Sequence, residues 1–323
     1  MSKTIDLLII TETIFPMKEE YINKIKTTSP TISLTVVSSK DITEEMLQKA
    51  EIIFGWPEVE LLKLAKNLKW LHLPSAGADG YTRYELYCNK EEIQISNSSG
   101  VFGLPIAEHI FAMILSHNHN LQDYAYHKAE KKWHRINSAK DFYDSTIGII
   151  GLGDIGTEVA KRAKAWGARV LAVKRTITDT PDYVDQLFRL EELDEVLIQS
   201  DYIVLSLPNT AKTIGIISEQ KLRIMKPNAF LVNIGRGVLI DQEALIKALQ
   251  EGRIGGAGLD VTEPEPLPVD SPLWDLPNVI ITPHASGSSP SNDQRRFNIF
   301  YQNLLRYMDS KPLENTVDFT EGY

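Results

Sequence analysis

Short apolar runs punctuate the first hundred residues, at Leu7 to Ile10, Leu34 to Val37, Ile52 to Phe54, Trp70 to Leu73 and Ile93 to Ile95. Runs of this length bounded by polar stretches predict strands. Between them Thr43 to Ala50 and Glu60 to Ala65 have helical spacing, so the segment predicts a small α/β sandwich on a parallel sheet. From Thr146 the alternation resumes, with strands predicted at Ile147 to Ile150, Arg169 to Val173, Tyr202 to Leu205, Phe230 to Asn233, Ala257 to Asp260 and Val279 to Thr282. This rhythm predicts a doubly wound sheet, whose ligands bind beyond the carboxyl ends of the strands. Ser218 is the predicted N-cap of a helix through Met225, and Asp241 of one through Gln250 that stops at Gly252.

Two longer helical patterns complete the picture. Leu104 to Asn118 is apolar but interrupted by Glu108 and His109, and is too short and too polar to span a bilayer. It is predicted to join two domains, with one face available for a subunit contact. Asp293 to Met308 has helical spacing at Phe297, Phe300, Leu304 and Leu305, which predicts a return of the chain onto the first domain. The first domain is therefore expected to be discontinuous, residues 1–100 with 288–323, and to carry residues 101–287 as an insertion.

The junction at Thr146 holds the most specific motif. A β-branched strand feeds Gly151-Leu152-Gly153-Asp154-Ile155-Gly156, and a helix-prone stretch follows. In this context a G-x-G-x-x-G turn is a device for a dinucleotide pyrophosphate. Gly151 permits the tight turn, Gly153 lets the backbone approach the phosphates, and Gly156 lets helix and strand pack closely, while free N–H groups at the helix start face the anion. An acidic residue about 20 positions further on would read the adenosine ribose of NAD. The chain has Lys174-Arg175-Thr176 instead, two cations and a hydroxyl suited to a 2′-phosphate, so NADP(H) is the preferred cofactor, with NAD(H) as the alternative.

Composition narrows the partners. A length of 323 residues with 43% hydrophobic content suffices for two cores. The net charge of -9 argues against a nucleic-acid surface. Cys88 is alone, which excludes an intramolecular disulfide or a thiolate metal cluster. The apolar run at Leu7 to Ile10 is far below the length of a secretory or membrane segment, and a cytoplasmic setting is expected.

Three strand ends carry residues that hydride transfer needs. Arg236 sits in Asn233-Ile234-Gly235-Arg236-Gly237, where a guanidinium could hold a carboxylate through two parallel bonds and polarise a neighbouring carbonyl. His284, in Thr282-Pro283-His284, is the natural proton donor when a ketone becomes an alcohol, and a carboxylate on its other nitrogen would aim it. Glu265, in Asp260-Val261-Thr262-Glu263-Pro264-Glu265, is a candidate for that carboxylate.

With the glycine loop, these segments resemble the D-isomer-specific 2-hydroxyacid dehydrogenases over nearly the whole chain. The resemblance implies two Rossmann-like parallel-sheet domains, the dinucleotide domain inserted into a smaller, discontinuous, flavodoxin-like substrate domain. It implies that Arg236 binds the substrate carboxylate and carbonyl, that Glu265 rather than Glu263 assists the histidine, and that His284 is the acid/base. Asp260 corresponds to the residue that binds the nicotinamide carboxamide, and Leu207, Pro208, Thr213, Ile234 and His284 join the cofactor set. Leu73 to Asp79 is similar to the family's S-x-G-x-D loop, so Ser75, Ala76 and Gly77 would hold the substrate carboxylate through backbone amides. A homodimer is implied as well.

Departures sharpen the reading. Formate dehydrogenases of this superfamily pair the histidine with glutamine, and Glu265 speaks against that reaction. Only a short tail follows Val317, where serine-pathway members often add a regulatory domain. Ser206 stands where many members have histidine, and with Lys174-Arg175 it resembles the NADPH-dependent glyoxylate/hydroxypyruvate reductase branch. Trp56, after the third strand, is expected either to narrow the pocket toward small substrates or to pack the strand end. His117 and His119 lack the spacing of a metal pair, and His72, His109, His127 and His134 form no ligand grouping, so no metal is predicted. An NAD-linked oxidant of D-lactate or phosphoglycerate type and a non-catalytic, corepressor-like cofactor sensor are the competing readings.

Overall fold

In a computed structural model, which describes residues 4–177, 179–320 and 322, the five early apolar runs lie side by side as parallel strands. They are β1 (Ile5–Thr11), β2 (Ile32–Ser38), β3 (Ile52–Phe54), β4 (Trp70–Leu73) and β5 (Gln94–Asn97), in the order β2-β1-β3-β4-β5. That is the flavodoxin-like order. Strands β3 and β4 are buried along their length, which explains their unbroken apolar sequence, whereas the edge strand β2 alternates between half-buried and exposed positions. Helices α1 (Glu19–Thr28) and α2 (Glu44–Lys49) connect strands, and the predicted helix near Glu60 is a 3-10 helix, Val59–Leu64.

The chain divides into two compact units, Met1–Val101 with Ser289–Tyr323, and Phe102–Ser288. The second unit begins with α3 (Gly103–Asn118) and α4 (Leu121–Ala129). It continues through β6 (Thr146–Ile150), α5 (Asp154–Ala165), β7 (Arg169–Val173), β8 (Gln186–Phe188), α6 (Leu193–Gln199), β9 (Tyr202–Leu205) and α7 (Glu219–Ile224). Strand β10 (Phe230–Asn233), α8 (Gln242–Gln250), β11 (Gly256–Leu259) and β12 (Val279–Ile281) complete it. All its strand pairs are parallel, in the order β12-β11-β10-β9-β6-β7-β8. The order reverses between β6 and β9, and the segments that follow β6, β9, β10, β11 and β12 all leave from the carboxyl edge. Both units are thus parallel-sheet α/β domains.

Several local expectations change. Strand β8, at the edge beside β7, has no counterpart among the predicted strands. Helix α3 buries Ile106, Ala107, Ile110, Phe111, Met113 and Ile114 within its own unit, and Met113 fills the space left open by Gly258. Its apolar positions pack in the core, while Glu108 and Ala112 stay exposed. Ser218 precedes α7 but makes no side-chain cap bond, whereas the Asp241 carboxylate accepts from the Ala244 N–H at 3.1 Å. Helix α9 (Asn292–Met308) returns to the first unit, where Phe300 stacks on Phe54 with ring centroids 4.1 Å apart.

The first core also holds a polar chain. The Trp70 indole N–H donates to Ser96 Oγ at 2.8 Å, His72 Nδ1 lies 2.7 Å from the same hydroxyl, and His72 Nε2 lies 3.3 Å from Ser98 Oγ. The Ser98 hydroxyl donates to the Leu73 carbonyl at 3.2 Å, so it accepts from a neutral His72 protonated at Nε2. Burial pushes the His72 pKa down to about 3 from 6.5. The unfolded chain therefore takes up this proton first as pH falls. His72 contributes fully above pH 6.5, and that stability is lost by about 1.4 kcal/mol per pH unit as pH drops toward 3. Denaturant titrations of wild type and His72→Phe from neutral to mildly acid pH should differ in slope by one proton, and equal slopes would refute the assignment.

Candidate active site

The glycine loop leaves β6 at the point where the strand order reverses. Gly151 has φ +109°, and a Cβ there would sit 2.7 Å from the Ser206 carbonyl oxygen. The N–H groups of Gly151 and Leu152 both donate to the Val173 carbonyl, at 3.1 and 3.2 Å, which ties the loop to the end of β7. A Cβ on Gly156 would overlap the Gly151 carbonyl oxygen, so α5 packs this closely only with glycine there, while the same position on Gly153 is open. The first-turn amides of α5, through Asp154, Ile155 and Gly156, lack intrahelical acceptors by construction. The Asp154 carboxylate accepts from the Gly103 N–H at 2.9 Å, linking the loop to the start of α3. This cradle fits a dinucleotide diphosphate. Lys174, half-buried, directly follows β7 beside it, and Arg175 and Thr176 are exposed.

At the end of β9, Gly235 presses on the Leu207 carbonyl, and Thr213 Oγ1 donates to the Pro208 carbonyl at 2.7 Å, closing the turn. Ile234 is buried and donates its N–H to the Leu205 carbonyl at 3.2 Å.

The Arg236 loop is braced from within. Buried Asn233 accepts from the Gly235 N–H at 3.1 Å and donates to the Arg236 carbonyl at 2.8 Å, and Arg236 Nη1 donates to the Gly235 carbonyl at 2.7 Å. A Cβ on Gly237 would overlap the Thr262 carbonyl, so this loop lies directly against the segment that carries Glu265. Glu265 Oε1 accepts from the Thr262 N–H at 3.2 Å, and Oε2 lies 2.9 Å from His284 Nδ1. That contact leaves Nε2 as the nitrogen the imidazole presents outward, on a side chain that is 54% exposed. His284 has φ +50°, a conformation uncommon outside glycine, held by its N–H donating to the Asp260 carbonyl at 2.8 Å.

Asp260 has no exposed side-chain surface. Its Oδ1 accepts from the Thr282 hydroxyl at 2.5 Å, the Ala285 N–H at 2.8 Å and the Ser286 N–H at 3.2 Å, and Oδ2 accepts from the Ser286 N–H at 3.1 Å. In the structure its carboxylate anchors the His284 loop.

In the first unit, the Ser75 to Gly77 loop follows β4. Its three carbonyls are all engaged: Ser75 accepts from the Ser98 N–H at 2.9 Å, Ala76 from Asn97 Nδ2 at 2.7 Å, and Gly77 from the Ser75 hydroxyl at 2.7 Å. In a trans peptide the C=O and the following N–H point opposite ways. Fixing these carbonyls therefore turns the amides of Ala76, Gly77 and Ala78 away from their anchors, a run of donors suited to an anion.

Comparison with known proteins places this geometry. The profile of the NAD-binding domain of D-isomer-specific 2-hydroxyacid dehydrogenases matches residues 111–286. The chain belongs to that family. It is similar to a glyoxylate reductase of Korarchaeum cryptofilum, 34% identical over 270 residues, covering 81% of this chain and 79% of that one. A solved D-isomer-specific 2-hydroxyacid dehydrogenase family protein from Aeromonas salmonicida is 31% identical with a TM-score of 0.85, over 98% of this chain and 100% of that one. Another from Xanthobacter autotrophicus, in complex with NADPH, is 25% identical with a TM-score of 0.83, over 98% and 99%.

As a member, this dehydrogenase is an NAD(P)-dependent oxidoreductase. Sequence reasoning missed three of its site contacts. Ser206 Oγ donates to the Gly151 carbonyl at 2.8 Å and braces the glycine loop. His109 Nε2 lies 3.0 Å from Thr282 Oγ1, which extends the Asp260 network onto α3. Asn97 holds the Ala76 carbonyl. Among the described residues, no group of three or more His, Cys, Asp and Glu could hold a metal, and no helix is long and apolar enough to cross a membrane.

Proposed function

We propose that this enzyme reduces a short 2-oxo acid, glyoxylate- or hydroxypyruvate-like, to the D-2-hydroxy acid with NADPH. The observation that carries the reading is the His284–Glu265 contact at 2.9 Å on a loop packed against that of Arg236. A nicotinamide cofactor held at the glycine loop Gly151 to Gly156 would supply the hydride for the carbonyl carbon. The carbonyl π pair moves onto oxygen, and His284 Nε2 delivers the proton there, with the Glu265 carboxylate opposite Nδ1 as the charge on the ring changes. Arg236 clamps the substrate carboxylate through two parallel hydrogen bonds and leans on the carbonyl, and the Ala76 and Gly77 amides supply further donors. The similarity to an archaeal glyoxylate reductase and to an NADPH-bound relative supports both substrate class and cofactor. Exposed Leu121, Tyr126 and Trp133, in and after α4, support a homodimer in which a second copy covers them.

A spectrophotometric panel of short 2-oxo acids with NADPH and NADH in parallel tests the proposal. Lack of NADPH oxidation with every acid would overturn the reaction, and equal or better efficiency with NADH would overturn the cofactor assignment in favour of an NAD-linked enzyme. Replacing Lys174 and Arg175 together by alanine should raise the NADPH KM about tenfold or more and leave the NADH KM nearly in place, because each loses charge-assisted bonds to the 2′-phosphate alone.

A further inference from the structure

We infer that Trp56 is a positioning residue for the carboxylate cradle at Ser75 to Gly77, acting through a hydrogen-bond relay rather than only as a wall. The inference rests on the assignment of that loop to the substrate carboxylate. Trp56 follows β3 at Gly55, whose φ of +146° and 2.6 Å approach to the Ile10 carbonyl, measured from a Cβ placed there, allow only glycine. The indole is thereby brought to the carboxyl edge of the sheet. Its N–H donates to Ser75 Oγ at 3.1 Å, and the same hydroxyl donates to the Gly77 carbonyl at 2.7 Å. A serine hydroxyl has one hydrogen and two acceptor sites. The indole occupies an acceptor site and biases the rotor, so that the hydrogen goes to Gly77.

The consequence falls on the amides. With the Gly77 carbonyl held, the Ala78 N–H is turned the other way, and with the Ala76 carbonyl held by Asn97 the Gly77 N–H joins it. Trp56 therefore sets the Gly77–Ala78 peptide plane, which adds the Ala78 N–H as a further donor beside the Ala76 and Gly77 amides assigned to the carboxylate. The indole itself is fixed from behind. The Phe15 ring meets it edge-on at 5.9 Å, and the Arg296 guanidinium, on α9, lies 5.9 Å from its centroid while donating to the Ile14 carbonyl at 3.0 Å. A side chain needed only to fill space would not require its one polar atom aimed at a hydroxyl on the next strand's loop.

Trp56→Phe keeps an aromatic ring and removes the donor, and Ser75→Ala removes the middle of the relay. In the full-length protein each should raise KM for the 2-oxo acid about tenfold, the scale of one lost hydrogen bond, with a smaller loss in kcat and no change in KM for NADPH. The double variant should be no worse than Ser75→Ala alone, since both remove one pathway. Additive KM effects, or an unaltered KM in Trp56→Phe, would overturn the relay. A readout independent of activity accompanies it. In spectra of 15N-labelled protein, Trp56→Phe identifies the Trp56 indole N–H among the five tryptophans, and Ser75→Ala should shift that resonance and speed its exchange with water. An unmoved resonance refutes the relay, whereas a moved resonance in a protein that reduces no 2-oxo acid refutes the assigned function and leaves the relay standing.

Discussion

Alanine in place of His284 is expected to lower kcat for reduction of a short 2-oxo acid by roughly 10²–10⁴-fold, the range that general acid–base catalysis contributes. Glu265 holds Nδ1 at 2.9 Å, so Nε2 is the nitrogen available to a substrate oxygen, and no other imidazole shares the loop between β12 and α9. The loop's shape does not depend on the ring, because the His284 N–H is held by the Asp260 carbonyl and the next two N–H groups by the Asp260 carboxylate. The side chain is half exposed, so the variant should melt near the wild-type temperature, and its fall in kcat should exceed any loss of NADPH affinity. Steady-state kinetics, a melting curve and a fluorescence titration of NADPH together check this. A variant that keeps more than a tenth of the wild-type kcat would remove His284 from the proton-transfer role.

The candidate residues for this chemistry were readable in the sequence because each stands in a short motif at a strand end. Arg236 between glycines, His284 after a Thr-Pro pair and the glycine loop after a β-branched strand need only local context. The strands themselves were legible because parallel strands covered on both faces read as unbroken apolar runs, as at Ile52 to Phe54 and Trp70 to Leu73. Strand β8 was hidden for the opposite reason: it is three residues long, lies at the sheet edge, and buries only Phe188. Helix α1 buries only Tyr21 and Ile25, too sparse a stripe to stand out among its charges.

What sequence could not supply is the bracing between distant residues. His109 meets Thr282 across 173 positions, and Ser206 reaches the Gly151 carbonyl across 55. Nothing in the run Leu259-Asp260-Val261 marks Asp260 as the anchor of a loop 25 positions further on. Its burial follows from where the chain goes after β12, when the amides of Ala285 and Ser286 turn back onto it, and no local pattern encodes that turn. The same holds for the Ser75 to Gly77 loop, whose amides are oriented by Asn97 and Ser98 only because β5 pairs with β4.

Substitution of Arg236 should produce the second large loss, and its form distinguishes a clamp from a general positive charge. Arg236→Gln removes one member of a charge-assisted pair, a change that costs about 2–5 kcal/mol, so kcat/KM for the 2-oxo acid is expected to fall by roughly two to three orders of magnitude. Arg236→Lys restores the charge but not the planar fork, and should recover only part of that loss. The loop survives either change, because the Gly235 N–H and the Arg236 carbonyl are held by Asn233, not by the guanidinium, and Gly237 keeps its close fit against Thr262. A guanidinium that serves both carboxylate and carbonyl should lose in KM and in kcat together in Arg236→Gln, whereas a residue that merely attracts anions would lose in KM alone and be rescued fully by lysine. Kinetics of both variants at two ionic strengths decide between these: full rescue by Arg236→Lys, or a kcat/KM for Arg236→Gln within tenfold of wild type, would rule out the bidentate clamp.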